Sequence, residues 1–189
     1  MPRRLINSTF ITLDAGIENP HLWPDLGNSA SQLSFEIQNE LLQSCDALLM
    51  GRRTYESFAA VWPTRSGGYS DRINAMRKYV ASTSLRDPLW NNTVVLGKDL
   101  VEEVRRIKEQ PGKDILQYGI GSVSFALMEH RLIDEFRLWL HPIILGKNRV
   151  DNSSFLACPP RRLDLLKTQT LPNGIIILNY GVAWGVPCQ

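Results

Sequence analysis

The sequence predicts an α/β fold with a central, mainly parallel sheet and an antiparallel hairpin at the C-terminal end. Short apolar and β-branched segments alternate along the chain with segments whose apolar residues recur at helical spacing. This alternation is typical of parallel strands that are joined by helices. Near the C-terminus, Pro172-Asn173-Gly174 separates two apolar runs, and Asn-Gly in that position is a strong hairpin signal.

In the N-terminal half, turn residues or a helix cap bound each predicted element. Leu5 begins an alternating strand that ends before a long loop, and Ser29 or Ser31 caps the first helix. The predicted elements are a strand at 5–13, a loop at 17–28, a helix up to about residue 44, a strand at 47–50, a helix from residue 52, a loop at 63–70, a short helix at 71–76 and a strand at 78–82.

The C-terminal half repeats this alternation and then consists of strands alone. Pro111-Gly112 ends one predicted helix, and a glycine turn at 119–122 precedes the next. Predicted strands lie at 93–96, 114–118, 135–145, 163–171 and 175–182, and predicted helices contain residues 100–107 and 123–132. Pro142 has no N–H to donate, so it predicts a bulge or an unpaired position in the 135–145 strand.

Length, charge and cysteine content limit the class of protein. The chain has 189 residues, 43% hydrophobic and 21% charged, and we expect one globular domain, 1–189. A net charge of +2 without a basic run argues against nucleic-acid binding. The cysteines Cys45, Cys158 and Cys188 lack metal-ligand spacing, so we expect no metal site. The lack of a signal-peptide pattern or long apolar run predicts a soluble, cytoplasmic protein without membrane contact.

The junction of the 47–50 strand with the next helix predicts an anion-binding site. Gly51 ends the apolar run, and Arg52, Arg53 and Thr54 form the first helical turn. Unpaired backbone N–H groups and the positive end of the helix dipole attract anions, and a guanidinium binds two phosphate oxygens at once. The alternative interpretation is a solvated basic helix start with an ordinary cap.

A second strand–glycine–helix turn, Gly119-Ile120-Gly121-Ser122, extends this pattern, as does Ser82-Thr83 at a third strand end. In open α/β sheets, ligands bind beyond the carboxyl ends of the strands. Neither turn has the lysine and hydroxyl residue of a P-loop, and the second lacks the remaining features of a Rossmann fingerprint. A tight turn would explain one Gly-x-Gly, but the three strand ends together predict a dinucleotide site.

Several motifs resemble the dihydrofolate reductase superfamily. Segment 50–57, Met-Gly-Arg-Arg-Thr-Tyr-Glu-Ser, is similar to the cofactor motif of dihydrofolate reductase. The rest resembles the reductase domain of the bifunctional riboflavin-biosynthesis enzyme and the small stand-alone proteins similar to it. The motifs that carry this second resemblance, in that family's order, are Thr12-Leu-Asp-Ala-Gly16, Gly51-Arg-Arg-Thr-Tyr55, Val61-Trp-Pro63, Tyr118-Gly-Ile-Gly-Ser122, Leu132-Ile-Asp-Glu135 and Leu140-His-Pro-Ile-Ile-Leu-Gly146.

This resemblance implies a three-layer, dihydrofolate reductase-like fold and an NADPH-dependent reductase. Such enzymes transfer hydride to an electron-poor C=N or C=O group, here of a small pterin- or aminopyrimidine-like substrate. The implied cofactor-binding residues are Gly51, Arg52, Arg53 and Thr54 at the phosphates, Ser82 and Thr83 at the 2′-phosphate, and Gly119, Ile120, Gly121, Ser122 and Val123 at the pyrophosphate and nicotinamide. The implied substrate residues are Asp14, Trp23 and Tyr118.

Two positions depart from the family pattern. Ala15 follows Asp14 where the family usually has glycine, and glycine comes one place later, which predicts a changed loop. Tyr118 stands where the riboflavin enzyme has a glutamate that contacts substrate. A phenol cannot supply that carboxylate, so the phosphoribosylaminopyrimidine substrate does not carry over with the fold.

Glu36 and Asp14 are the candidate catalytic carboxylates. Glu36 lies near the spacing of the helix carboxylate that protonates substrate in dihydrofolate reductase, and a solvated helix position is the alternative. Asp14 has an alternative role as an acceptor for backbone N–H groups in its own turn. A proton taken from solvent would require neither side chain.

Two other classes of function are compatible with parts of the pattern. A non-catalytic NADP(H)- or nucleotide-binding protein would keep the phosphate features without a proton donor, whereas a purely structural protein leaves the strand-end arginines unexplained. We also expect a homodimer, because relatives pair and because segments 136–140 and 175–178 carry apolar side chains on successive positions.

Overall fold

The computed structural model describes residues 2–146 and 162–183, which form alternating strands and helices followed by strands. The helices and strands are β1 (Leu5–Thr12), α1 (Ser31–Ser44), β2 (Cys45–Gly51), α2 (Arg52–Ala59), α3 (Gly68–Ala75), β3 (Arg77–Ala81), β4 (Thr93–Leu96), α4 (Leu100–Glu109), β5 (Asp114–Tyr118), α5 (Ser122–Glu129), β6 (Glu135–His141), β7 (Leu163–Thr170) and β8 (Ile176–Val182), with 3-10 turns at Pro20–Leu22 and Trp62–Thr64.

Residue contacts divide the chain into two compact units. Unit 1 comprises Met1–Leu5 and Ile37–Tyr118, and unit 2 comprises Ile6–Glu36 and Gly119–Gln189. Each unit contains its own set of hydrogen-bonded strands, its own buried side chains and some of the predicted site residues.

In unit 1, the strands follow the order β4-β3-β2-β5, and every neighbouring pair is parallel. Strand β2 is central, and its residues 47–50 are all buried. A strand that is covered on both faces needs a continuous apolar run rather than an alternating one. Gly51 at the end of β2 is aligned with Ala81 at the end of β3, so both strands end at the same edge.

In unit 2, the strands follow the order β1-β6-β8-β7. Strands β1 and β6 are parallel, whereas β6–β8 and β8–β7 are antiparallel. The β7–β8 turn is closed by a hydrogen bond from the Leu171 N–H to the Ile175 carbonyl at 2.8 Å. Gly174 has a φ of 85°, a left-handed value that glycine adopts without steric cost. The predicted C-terminal hairpin and mainly parallel strand arrangement are therefore confirmed.

Several element boundaries differ from the prediction for identifiable reasons. Strand β6 ends at His141 instead of residue 145, because Pro142 cannot donate a ladder hydrogen bond. Helix α3 begins at Gly68, three residues earlier than predicted. Helix α2 ends at Ala59, and the 3-10 turn Trp62–Thr64 extends into the predicted loop at 63–70.

The described residues also bear on the predictions about membranes and cysteines. Across 2–146 and 162–183, no helix combines the length and the apolar character needed to span a bilayer. Cys45 is buried and forms no disulfide with another described residue, whereas Cys158 and Cys188 lie outside the described residues.

Candidate functional site

The start of α2 in unit 1 keeps its first-turn backbone groups free of a side-chain cap. Gly51 occupies the N-cap position in an extended conformation and has no side chain with which to cap the first-turn N–H groups. Arg52 and Arg53 are exposed, and Thr54 is partly exposed. A helix start with free N–H groups and adjacent cations can bind an anion.

Arg52 connects α2 to the segment that follows β3. Its Nε donates to Glu56 Oε1 at 2.6 Å, and its Nη1 donates to Ser84 Oγ at 2.7 Å. Exposed ion pairs of this kind contribute little to stability, so an anionic ligand could compete with Glu56 for the guanidinium. Arg53 makes no hydrogen bond or ion pair within the described part of the chain.

The Ser82–Arg86 turn provides polar groups beside the start of α2. Ser82 Oγ accepts hydrogen bonds from the N–H groups of Ser84 at 3.2 Å and Leu85 at 2.9 Å, which leaves its own hydrogen available. Arg86 donates to the Thr83 carbonyl at 3.3 Å. Sequence analysis did not select Arg86, although a cation that closely follows Ser82-Thr83 in sequence indicates a possible phosphate contact.

The glycine turn of unit 2 begins at a left-handed residue. Gly119 has a φ of 75°, and its carbonyl accepts a hydrogen bond from Asn7 Nδ2 at 2.7 Å. Asn7 is fully buried, and Thr9 Oγ1 donates to its Oδ1 at 2.7 Å. Sequence analysis missed this pair because a polar residue inside a strand gives no signal of its distant partner.

Gly121 occupies the N-cap position of α5 with extended backbone and has no side chain with which to cap the first helical N–H groups. Apart from the adjacent residues in the chain, no heavy atom of the described residues lies within 4 Å of the position that a Cβ would occupy at either Gly119 or Gly121. Ile120 is buried, whereas Ser122 is exposed and Val123 is partly exposed. The turn therefore has open space beside its backbone, where a ligand can approach N–H groups closely.

Asp14 accepts several hydrogen bonds in the loop that follows β1. Its carboxylate accepts hydrogen bonds from Thr12 Oγ1 at 2.6 Å and from the N–H groups of Leu145 at 3.0 Å and Gly146 at 2.9 Å. The Thr12 hydroxyl and these backbone groups lower the pKa of Asp14, although partial desolvation opposes them. These contacts favour the structural alternative for Asp14, since an ionised carboxylate of low pKa is a poor proton donor.

Ala15 adopts a φ of 63°, which is unusual for a residue with a side chain. Its N–H donates to the Thr12 carbonyl at 3.0 Å, and the Gly16 N–H donates to Thr12 Oγ1 at 2.9 Å. The loop thus keeps a left-handed residue directly after Asp14, although the chain has alanine there.

Trp23 lies beside a histidine in unit 2. Its Nε1 donates to the Glu18 carbonyl at 2.9 Å, and its ring centroid lies 5.1 Å from that of His141. His141 Nδ1 donates to the Trp139 carbonyl at 2.8 Å. Burial lowers the pKa of His141, so the imidazole is neutral at physiological pH.

The other two candidate residues differ in their surroundings. Glu36 is exposed on α1, where its carboxylate accepts a hydrogen bond from Gln32 Nε2 at 2.7 Å, as expected of a solvated helix position. Tyr118 ends β5 in unit 1, and its hydroxyl lies 3.2 Å from the hydroxyl of Tyr69. Within the described residues, no group of three or more His, Cys, Asp or Glu side chains could hold a metal ion.

Known proteins resemble the chain in both sequence and fold. The RibD C-terminal domain family matches residues 3–177. The uncharacterized protein YyaP of Bacillus subtilis (strain 168) is 27% identical over 184 residues, which cover 94% of each chain.

Two similar solved structures share the fold. A pyrimidine reductase-like protein from Corynebacterium diphtheriae has a TM-score of 0.66 at 14% identity, covering 96% of this chain and 92% of its own. A diaminohydroxyphosphoribosylaminopyrimidine deaminase/5-amino-6-(5-phosphoribosylamino)uracil reductase from Thermotoga maritima has a TM-score of 0.63 at 15% identity, covering 96% of this chain and 57% of its own. The predicted dihydrofolate reductase-like fold is confirmed.

Proposed function

Because the chain belongs to the RibD C-terminal domain family, we propose that it is an NADPH-dependent reductase of the pyrimidine-reductase type. The observation that carries the proposal is the uncapped start of α2, where Arg52 bonds to Ser84 beside free first-turn N–H groups. This arrangement suits a phosphate group, since the guanidinium and the N–H groups all donate. The bound cofactor supplies the hydride, and a small electron-poor ring accepts it.

Two turns of the chain are proposed to bind phosphate groups of the cofactor. In unit 1, the first turn of α2 with Ser82 and Thr83 binds the phosphate that distinguishes NADPH from NADH. In unit 2, the open backbone of the 119–123 turn binds the pyrophosphate. Burial of Asn7 beneath Gly119 fixes the turn without filling the space beside it.

The proton that accompanies hydride transfer is proposed to come from solvent. Asp14 uses its carboxylate for internal hydrogen bonds and has a lowered pKa, and Glu36 is exposed on α1. Neither geometry favours a dedicated proton donor.

A non-catalytic NADP(H)-binding protein is the second candidate function. Turnover with a panel of pterins, pyrimidines and carbonyl compounds separates it from a reductase.

Fluorescence titration with NADPH and NADH tests the cofactor assignment. Wild type is expected to bind NADPH more tightly, and one of Arg52→Ala, Arg53→Ala or Arg86→Ala should weaken NADPH binding about tenfold to hundredfold while leaving NADH nearly unchanged. Arg105→Ala is the matched control, because Arg105 is also exposed and also paired within its own helix. Equal wild-type affinities for the two cofactors would contradict the assignment.

We also propose a homodimer that uses one face of β6 and β8. That face carries the partly exposed Leu138, Leu140, Ile176 and Leu178, whereas the opposite face carries the buried Trp139 and Ile177. The partly exposed residues are directly paired across the strands, Leu138 with Leu178 and Leu140 with Ile176. Sedimentation should show twice 21.4 kDa for wild type and a monomer for Leu138→Lys. A wild-type monomer at micromolar concentration would count against the dimer.

A further inference from the structure

Trp90 is buried near the end of the segment that joins β3 to β4, and we call this segment, residues 82–92, the β3–β4 loop. The Trp90 backbone N–H donates to Tyr55 Oη at 3.1 Å, and its indole Nε1 donates to Asn74 Oδ1 at 2.8 Å. The Lys78 ammonium lies 4.4 Å from the centre of its ring. Helices α2 and α3 and strand β3 therefore all hold this residue in place.

The other end of the β3–β4 loop is also bonded to α2. Arg52 Nη1 donates to Ser84 Oγ at 2.7 Å. Arg52 and Tyr55 lie three residues apart on α2, and residues at that spacing are neighbours on a helix surface. Between the two contacts, Arg86 is exposed on the loop. The loop is therefore held against one side of α2 at two points, and the position of the stretch between them depends on both.

The contact at Trp90 is the better protected of the two. Tyr55 is 4% exposed and Trp90 is 2% exposed, so water does not compete for their hydrogen bond. Arg52 is exposed and also bonds to Glu56, and an anionic ligand would compete for its guanidinium. The Tyr55–Trp90 bond therefore keeps the β3–β4 loop beside α2 while Arg52 exchanges partners.

Phosphate binding at the proposed site depends on the position of the β3–β4 loop. Arg52 on α2 and Ser82 and Thr83 in the loop are proposed to donate to one phosphate, so the spacing between helix and loop has to match that group. A loop that is already in position does not have to be ordered when the ligand binds, and the affinity is higher for that reason. Because Tyr55 and Trp90 are buried, any effect that they have on affinity is transmitted through the loop rather than by contact with the ligand.

We propose that Tyr55 and Trp90 are positioning residues, which set the affinity for the phosphate that distinguishes NADPH from NADH by fixing the β3–β4 loop against the start of α2. The inference rests on the proposed cofactor site and adds to it two residues that do not touch the cofactor. The competing explanation is that the Tyr55–Trp90 contact contributes only to the stability of unit 1. The two explanations differ in whether loss of the contact changes the ratio of NADPH affinity to NADH affinity.

Fluorescence titration of Tyr55→Phe with NADPH and with NADH tests the proposal. Phenylalanine keeps the buried ring and removes the hydroxyl that accepts from the Trp90 N–H. The NADPH dissociation constant should rise about threefold to tenfold, as the loss of one neutral hydrogen bond implies, whereas the NADH dissociation constant should stay within about twofold of wild type. Val104→Ala is the matched control, because Val104 is buried on α4 in the same unit and its truncation lowers stability. The control should leave the ratio of the two affinities unchanged.

Trp90→Phe provides a second test if Tyr55→Phe fails to fold. It keeps an aromatic ring but removes the bond to Asn74, and it should weaken NADPH binding selectively as Tyr55→Phe does. A wild-type ratio of affinities in the variants, including equal losses for both cofactors, would overturn the inference and leave the cofactor assignment standing. Equal affinities for NADPH and NADH in wild type would instead contradict the cofactor assignment, and the inference would fall with it.

Discussion

The start of α2 and the loop after β1 both follow a strand end and both carry charge, yet they use it in opposite ways. At α2, Arg52 and Arg53 are exposed, and the helix N-terminus has no side-chain cap. After β1, the Asp14 carboxylate accepts three hydrogen bonds from within its own unit. A charge that is satisfied internally holds a loop in place, whereas a charge beside unpaired N–H groups is available to a ligand.

Gly121 and Lys78 show the same contrast between a position that is open to a ligand and a group that is satisfied within the fold. Gly121 leaves open space beside an uncapped helix start in unit 2. Lys78 in unit 1 is fully buried, and its ammonium donates to the carbonyls of Asn74 and Asn91 and lies 4.4 Å from the centre of the Trp90 ring. We therefore expect Gly121 to matter for binding and Lys78 for stability.

Gly121→Val should have the largest effect of any change considered. Its extended backbone suits any residue and nothing lies near the added side chain, so the fold should survive. If the pyrophosphate lies against Gly121, valine should raise the NADPH dissociation constant by more than about 1,000-fold, or about 4 kcal/mol. Gly68→Val is a control at another helix start. If the Gly121 variant bound NADPH with wild-type affinity, Gly121 would have only a structural role in the turn.

Lys78 should make stability rise in mild alkali. Burial lowers its pKa from 10.5 to about 8, so the folded protein loses this proton at a lower pH than the unfolded chain does. The unfolded state then binds more protons between these values, and the free energy of unfolding should rise by up to roughly 3 kcal/mol across them. Urea denaturation at pH 7 to 10.5 should show this rise in wild type relative to Lys78→Met. Parallel curves would contradict the prediction.

Asp14 should make stability fall in acid, which is the same direction of pH dependence as that of Lys78 in a lower pH range. Its lowered pKa contributes stability that is present above the ordinary aspartate pKa of about 3.9 and is lost as the pH falls through the lower, folded value. Asp14→Asn should lower the melting temperature at pH 7 and flatten its decline in acid. Asp99→Asn, an exposed position on the other unit, is the control. Unchanged melting at pH 7 would show that the three hydrogen bonds contribute little.

The smallest expected effect is a gain in stability from Ala15→Gly. Alanine at a φ of 63° costs about 1–2 kcal/mol, and the greater freedom of glycine in the unfolded chain offsets part of that. We expect a net gain of about 0.5–1 kcal/mol in urea denaturation. Ala60→Gly should instead destabilise, because Ala60 has a φ of −72°. A loss of stability in both variants would show that Ala15 is not strained.

Local sequence determined the order of strands and helices and the residue types at the strand ends. A continuous apolar run ending at Gly51 predicts a strand covered on both faces, and Asn173-Gly174 predicts the hairpin, because both signals depend on a few adjacent residues. The start of α2 was also predictable, because its signal lies in the adjacent residues. Element ends were less certain where proline or glycine allowed more than one boundary, as at Pro142 and Gly68.

Tertiary structure alone decided which polar groups are already satisfied and which remain available. No local pattern indicates that Asp14 accepts from Leu145 and Gly146, that Asn7 holds Gly119, or that Tyr118 meets Tyr69. These partners are far apart in sequence, and their contacts depend on how strands and loops are brought together. The residue types at strand ends can be read from the adjacent sequence, whereas the burial, hydrogen bonding and pKa of a side chain depend on its surroundings in the folded protein.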